Sequence, residues 1–174
     1  MIEKAVRRIN MLWAIQVSIG GIPLLYAGDE FGQMNDYTYL TDPKKINDSR
    51  WVHRAKRRWE ARDDLAGQDT LEWRFFREMA NLFRLRKQIP AFQNGEMEVI
   101  STGNPHLFGY IRAFENQKIL IVNNFSDEPQ KMEGSRLDSY GARGDVVNLL
   151  NGDNITIDGD LLIDEYRAVW LDVT

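Results

Sequence analysis

The sequence predicts an α+β chain in two parts: a helical first part reaching residue 94, and an antiparallel β-sandwich or barrel from residue 95 to residue 174. Three observations predict it. Apolar residues recur at helical spacing near the start and again between residues 70 and 88. A short, continuously apolar run follows the first helix behind a glycine turn. Beyond Asn94-Gly95, short strand-like runs alternate with turn signals. With 174 residues, 43% hydrophobic and 28% charged, the composition is globular rather than disordered, and the length suits one ordinary domain or two small units.

The first helix is expected from Glu3 to Ser18, where Val6, Ile9, Trp13 and Val17 form one stripe. Gly20, Gly21 and Pro23 stop it. Ile22–Ala27 then reads as a strand buried on both faces, of the kind found in parallel sheets. One such strand is no sheet, so its neighbours are expected in sequence outside this chain. Residues 28–67 form a long polar loop whose tyrosines and tryptophans argue against disorder, with a helical stretch expected around Val52–Arg62. A second helix is expected from Thr70 to Gln88, started by Asp69 and Glu72 at capping-box spacing and ended at Pro90. Seven strands follow: Met97–Ser101, Leu107–Phe114, Lys118–Asn123, Gln130–Glu133, Val146–Leu150, Ile155–Ile157 and Tyr166–Val173.

Several function classes are excluded at this level. The net charge is −4, and the basic residues from Arg54 to Arg62 read as a solvated helix face, so no nucleic-acid partner is expected. The apolar stretch Ile9–Leu25 is broken by polar residues, glycines and Pro23, so no membrane span is expected. There is no cysteine, which rules out disulfides and fits a cytoplasmic location. The two histidines, His53 and His106, lack partners at metal-site or nucleophile spacing, and no phosphate loop or dinucleotide fingerprint occurs. No metal and no cofactor is expected.

Two segments carry candidate chemistry. Asp29 and Glu30 follow the apolar run, at the strand end where α/β folds place active sites. They could supply acid and base. Adjacent side chains at a strand end point apart, which favours an anchor for the following loop. The stretch Asn47–Arg54 is the densest polar cluster. Its arginine can hold hydroxyls or a carboxylate with a rigid fork, and its tryptophan can stack on a sugar. An ordinary helix start, capped by Asp48 or Ser49, explains it equally well.

The segment Gly21-Ile22-Pro23-Leu24-Leu25-Tyr26-Ala27-Gly28-Asp29-Glu30-Phe31-Gly32 resembles the eighth-strand motif of the α-amylase superfamily of glycoside hydrolases. The later Asp48-Ser49-Arg50-Trp51-Val52-His53-Arg54 resembles amylosucrase and related sucrose hydrolases, and Tyr166–Leu171 resembles the last strand of that family's C-terminal domain. The resemblance implies that residues 1–94 are the last helices and eighth strand of a (β/α)8 barrel, and residues 95–174 its antiparallel C-terminal domain. It implies a retaining mechanism on sucrose or an α-glucan. The nucleophile and acid/base would lie on earlier strands, so no catalytic residue is assigned here and the chain alone is expected to be inactive. Arg50 would help close the glucosyl pocket, with Asp36, Asp48 and His53 lining or bracing the same loop. A non-catalytic β module, structural or carbohydrate-binding, is the alternative. The partner would be the rest of the barrel or a second copy of this chain, because an unpartnered helix–strand remnant exposes apolar surface.

Overall fold

The computed structural model describes residues 2–56 and 70–174. Its elements are α1 (Ile2–Ser18), three 3-10 turns (Asp29–Phe31, Tyr37–Thr41, Ser49–His53), α2 (Leu71–Gln88), α3 (Pro90–Asn94), β1 (Glu96–Ile100), β2 (Leu107–Phe114), β3 (Gln117–Asn124), β4 (Gln130–Met132), α4 (Gly134–Ser139), β5 (Gly144–Asn148), β6 (Asp153–Ile157), β7 (Leu161–Ile163) and β8 (Ala168–Asp172). They form two compact units, one of Met1–Leu24 with Met79–Thr174 and one of Leu25–Glu78.

In the first unit a six-stranded antiparallel sheet has the order β1-β2-β3-β8-β5-β6, and β4 pairs with β7 as a separate ribbon. Leu107–Phe114 pairs along its whole length with Gln117–Asn124 around the Glu115-Asn116 turn, and Glu115 takes a positive φ there. Alternation sorts the central strands onto two faces. Ile111, Leu120, Val122 and Leu171 join Met132 of the ribbon, Leu137 of α4 and Ile163 in one core cluster. Tyr110, Ile121 and Trp170 face the other way, where Phe92 of α3 meets Trp170 edge-on at 4.8 Å between ring centres. A sheet covered on both faces explains why β3 is buried for six consecutive residues instead of alternating.

Helix α1 buries Val6, Trp13 and Val17 as its spacing predicts, and Met11 and Ala14 widen the stripe. Its charged residues hold the loop after β3 and the loop before β8. Lys4 pairs with Asp127 at 3.2 Å, Arg7 pairs with Glu165, and Arg8 lies over the Tyr166 ring. At its C-terminus, Ser18 Oγ donates to Ala14 O at 2.6 Å. The single hydroxyl proton of Ser18 is thereby used, so the buried Tyr110 hydroxyl donates to Ser18 Oγ at 2.6 Å. Burial pushes the Tyr110 phenol up to about 12. The folded value lies above the ordinary one, so this stabilisation is complete below about pH 10 and is lost as pH rises through 12. Denaturant titrations at pH 8 and near pH 11.5 should show a stability loss on the order of 2 kcal/mol that Tyr110→Phe abolishes. An equal loss in both proteins would contradict this.

Arg112 on β2 is almost fully buried and has no carboxylate partner among the described residues; its guanidinium donates to three carbonyls, Ser18 O at 3.2 Å, Ala91 O at 2.8 Å and Gly95 O at 2.6 Å. Ser18 O and Gly95 O lie at the C-terminal ends of α1 and α3, where carbonyls lack intrahelical donors and the helix dipole favours a cation, while Ala91 O also accepts from Gly95 N. Burial, with Arg86 nearby, presses the Arg112 pKa down, yet a guanidinium stays charged. Two glycines make the clamp possible. Gly20 has φ +123°, and a Cβ there would stand 2.7 Å from Arg112 Nη1. At Gly95 a Cβ would stand 2.3 Å from Ala91 O.

Asn124, fully buried at the end of β3, does similar work on the other side of the domain. Its amide donates among Glu128 O, Ile163 O and Asp164 O at 2.8 to 3.0 Å, and its Oδ1 accepts from Ser126 N at 2.8 Å. It ties the large sheet to the loops bordering the ribbon.

Two expectations are corrected, and two elements were unforeseen. The expected eighth strand, Ile22–Ala27, is not formed: residues 22–26 carry no regular structure, and Ile22 and Leu24 are 97% and 82% exposed. A strand exists only when a neighbour takes up its backbone groups, and the described residues offer none. Pro90 does not merely end α2; it opens α3, with Ile89 extended before it, because proline suits the first helical position. Strand β7 and helix α4 were not expected, being too short to show a period. Of the helical stretch around Val52–Arg62, Val52 and His53 lie in a 3-10 turn and residues 57–62 fall outside the described residues, as does Asp69. The α2 N-terminus is held by Thr70, whose Oγ1 accepts from Trp73 N at 3.2 Å.

Candidate functional site

All six candidate residues lie in the unit Leu25–Glu78. Its loop is built from side-chain-capped turns. Asp36 starts the Tyr37–Thr41 turn, its Oδ1 accepting from Thr38 N at 2.9 Å, and these bonds hold its carboxyl below the usual range. Asp42 repeats the device, accepting from Lys44 N at 2.9 Å. Asp48 starts the Ser49–His53 turn, its Oδ1 accepting from Arg50 N at 3.1 Å. The two longer turns are joined through Asp36 N, which donates to Val52 O at 2.8 Å.

Arg50 reaches back to the residue that caps its own turn. Its Nε donates to Asp48 Oδ1 at 2.8 Å and its Nη2 to Asp48 Oδ2 at 2.9 Å, a two-pronged charge-assisted pair. This contact is the foremost cause that lowers the Asp48 pKa and raises that of Arg50. The Arg50 side chain is otherwise 74% exposed. Beside it, the half-buried Trp51 ring receives Lys45 Nζ at 4.9 Å and Arg54 at 5.4 Å from its centre, so its faces are engaged by local cations.

A small cleft of about 60 Å³ is lined by Tyr26, Gly28, Asp29, Gln33, Asn35 and His53 among others. His53 Nδ1 lies 3.2 Å from Asn35 Oδ1, which orients the ring. Glu30 turns away from paired chemistry: its Oε2 accepts from Gly28 N at 2.7 Å and closes the turn after residue 27. Phe31 stacks on Phe76, and Phe76 on Trp73, each at 5.5 Å, fastening the turn to α2. The structure therefore brings Asp29 and His53 to one cleft and Asp48 and Arg50 into one ion pair. Asp36 joins the same loop by backbone, and Glu30 serves as an anchor. Sequence reasoning did not single out Gln33 and Asn35 as site residues; only their place between the two motifs could have marked them.

Among the described residues no group of histidine, aspartate and glutamate could hold a metal ion, and no described helix is long and apolar enough to cross a membrane. A 60 Å³ cleft admits little more than water, so as the described residues form it the cleft is too small to enclose a sugar ring.

Residues 97–170 match the model of the maltogenic amylase C-terminal domain. The chain is 25% identical over 165 residues to the cyclomaltodextrinase of Geobacillus thermopakistaniensis strain MAS1, covering 90% of this chain and 23% of that protein. It is 24% identical over 213 residues to the probable oligo-1,6-glucosidase 2 of Bacillus subtilis strain 168, covering 95% of this chain and 38% of that protein. It thus spans well under half the length of these curated relatives. The crystal structure of an Anoxybacillus α-amylase shares its fold with a TM-score of 0.71 at 21% identity, over 96% of this chain and 32% of that one. The amylosucrase resemblance is not supported by these relatives and rests on the Asp48–Arg54 motif alone. Residues 97–170 are thus similar to the C-terminal domain of maltogenic amylase, and the chain as a whole shares the fold of the corresponding part of an α-amylase.

Proposed function

We propose that this chain is the C-terminal part of a retaining α-glucoside-active enzyme, in which residues 1–94 complete a (β/α)8 barrel and residues 95–174 are the β domain that follows it. The names of the relatives, cyclomaltodextrinase and oligo-1,6-glucosidase, support α-glucosides as the substrate class. The observation that carries the site reading is the Asp48–Arg50 fork, an exposed guanidinium fixed in place on a loop rich in tyrosine and tryptophan. In the whole enzyme Arg50 contacts the glucosyl unit or an acidic group beside it, while Asp36, Asp48 and His53 brace the loop and Asp29 ends the strand motif. The nucleophile and the acid/base come from other strands. The exposed Ile22 and Leu24 fit burial against the rest of the barrel or, in its absence, a second copy.

Sucrose is the finer reading, motivated by the Asp48-Ser49-Arg50-Trp51-Val52-His53-Arg54 stretch. An α-glucan is the competing substrate, favoured by the relatives. The full-length protein decides between them when fructose release from sucrose is compared with glucose release from maltodextrin. Faster fructose release is the expected result; maltodextrin cleavage without fructose release would move the proposal to α-glucans. The β domain is proposed as structural rather than glycan-binding, because Tyr110 and Trp170, among its largest aromatic residues, are fully buried and offer no platform.

A further inference from the structure

The geometry points to Asp48 as the positioning residue for Arg50, holding one edge of its guanidinium so that the opposite edge is presented, pre-aligned, to a sugar diol or carboxylate. This inference rests on the α-glucoside reading above and adds a role to it.

A guanidinium has five N–H groups in a plane. Asp48 takes the Nε proton and one Nη2 proton, the side-on fork. One Nη1 proton and the second Nη2 proton form the end-on fork, directed away from Asp48. Arg50 is 74% exposed, so this second fork is accessible. A free arginine samples many rotamers and loses that freedom on binding; one already gripped along one edge loses less. Asp48 is itself fixed. Its N donates to Lys45 O at 2.8 Å, its O accepts from Trp51 N at 3.2 Å, and its Oδ1 also accepts from Arg50 N. The grip on Arg50 is thus passed to a turn already tied to Asp36 through Val52.

Asp48 has two separable jobs, and substitution separates them. Serine caps a turn about as well as aspartate but cannot reach the guanidinium. Asparagine caps and keeps one acceptor for Nε, but places an amide or loses a charge opposite Nη2. In the full-length enzyme, assayed on whichever of sucrose or maltodextrin it cleaves, kcat/KM should fall in the order Asp48, Asp48→Asn, Asp48→Ser, with the serine variant down about tenfold. In an Arg50→Ala background, Asp48→Ser should change kcat/KM by less than about twofold, since nothing remains to position. Circular dichroism and melting temperature check that each variant folds, and the asparagine variant carries the test if serine does not. Equal losses from Asp48→Ser with and without Arg50 would reduce Asp48 to a turn cap and overturn the inference. If Arg50→Ala itself changes kcat/KM less than about twofold, the site reading fails and takes this inference with it.

Discussion

Arg112→Met is expected to lower the unfolding free energy by about 2 to 6 kcal/mol, since it leaves two buried carbonyls without a donor at about 1 to 3 kcal/mol each. Methionine fills much of the volume and keeps the flexible stem, so little of the loss is cavity formation. What disappears is the donor set for Ser18 O, Ala91 O and Gly95 O. Ala91 O keeps Gly95 N as a partner at 3.1 Å, so Ser18 O and Gly95 O bear most of the effect. Arg86 is a built-in control. It donates to Val17 O and Gly21 O at the same helix end, but it is partly exposed and water can replace it. Arg86→Met should cost about 1 kcal/mol. Denaturant unfolding of both variants measures the contrast, and equal losses would mean that burial of the Arg112 clamp has no special weight.

Arg50→Ala in the full-length enzyme is expected to reduce turnover of its α-glucoside at least tenfold, because a lost charge-assisted contact to the substrate pocket costs about 2 kcal/mol or more. Arg50→Lys should recover little, since an ammonium cannot offer two parallel N–H groups to each of two partners. Folding should be unaffected: an exposed ion pair between neighbours contributes little stability. Loss of stability with retained activity would be the opposite pattern and would make the fork a structural device. Initial rates and melting temperatures on the same preparations separate the two.

The β domain was legible because its signals are local. Leu107–Phe114 and Gln117–Asn124 are apolar runs joined by Glu115-Asn116, and a hairpin is fixed by its turn and its pattern together. The pairing of β3 with β8, and of β8 with β5, was not legible, since nothing in Ala168–Asp172 names its neighbours. Strand β7 is three residues between Asp160 and Asp164, too short to show alternation. Ile22–Ala27 shows the converse limit. An apolar run predicts burial, but burial needs a partner, and here Ile22 and Leu24 face solvent. At the site, Arg50 was legible as a fork and Asp48 as a cap. That the fork closes on the cap two residues earlier was not, because side-chain reach along a turn has no periodic signature. Arg112 read as one residue of a strand; its buried clamp depends on where the ends of α1 and α3 fall.

The central claim is that these residues complete a sugar-processing site without containing its catalytic carboxylates. The most direct measurement incubates the purified chain with sucrose, and in parallel with maltodextrin, and follows fructose and glucose against a long blank. No release is expected from either. Protein-dependent release that survives removal of contaminating enzyme would contradict it, and would make Asp29 and Glu30, the adjacent carboxylates after residue 28, the first residues to replace.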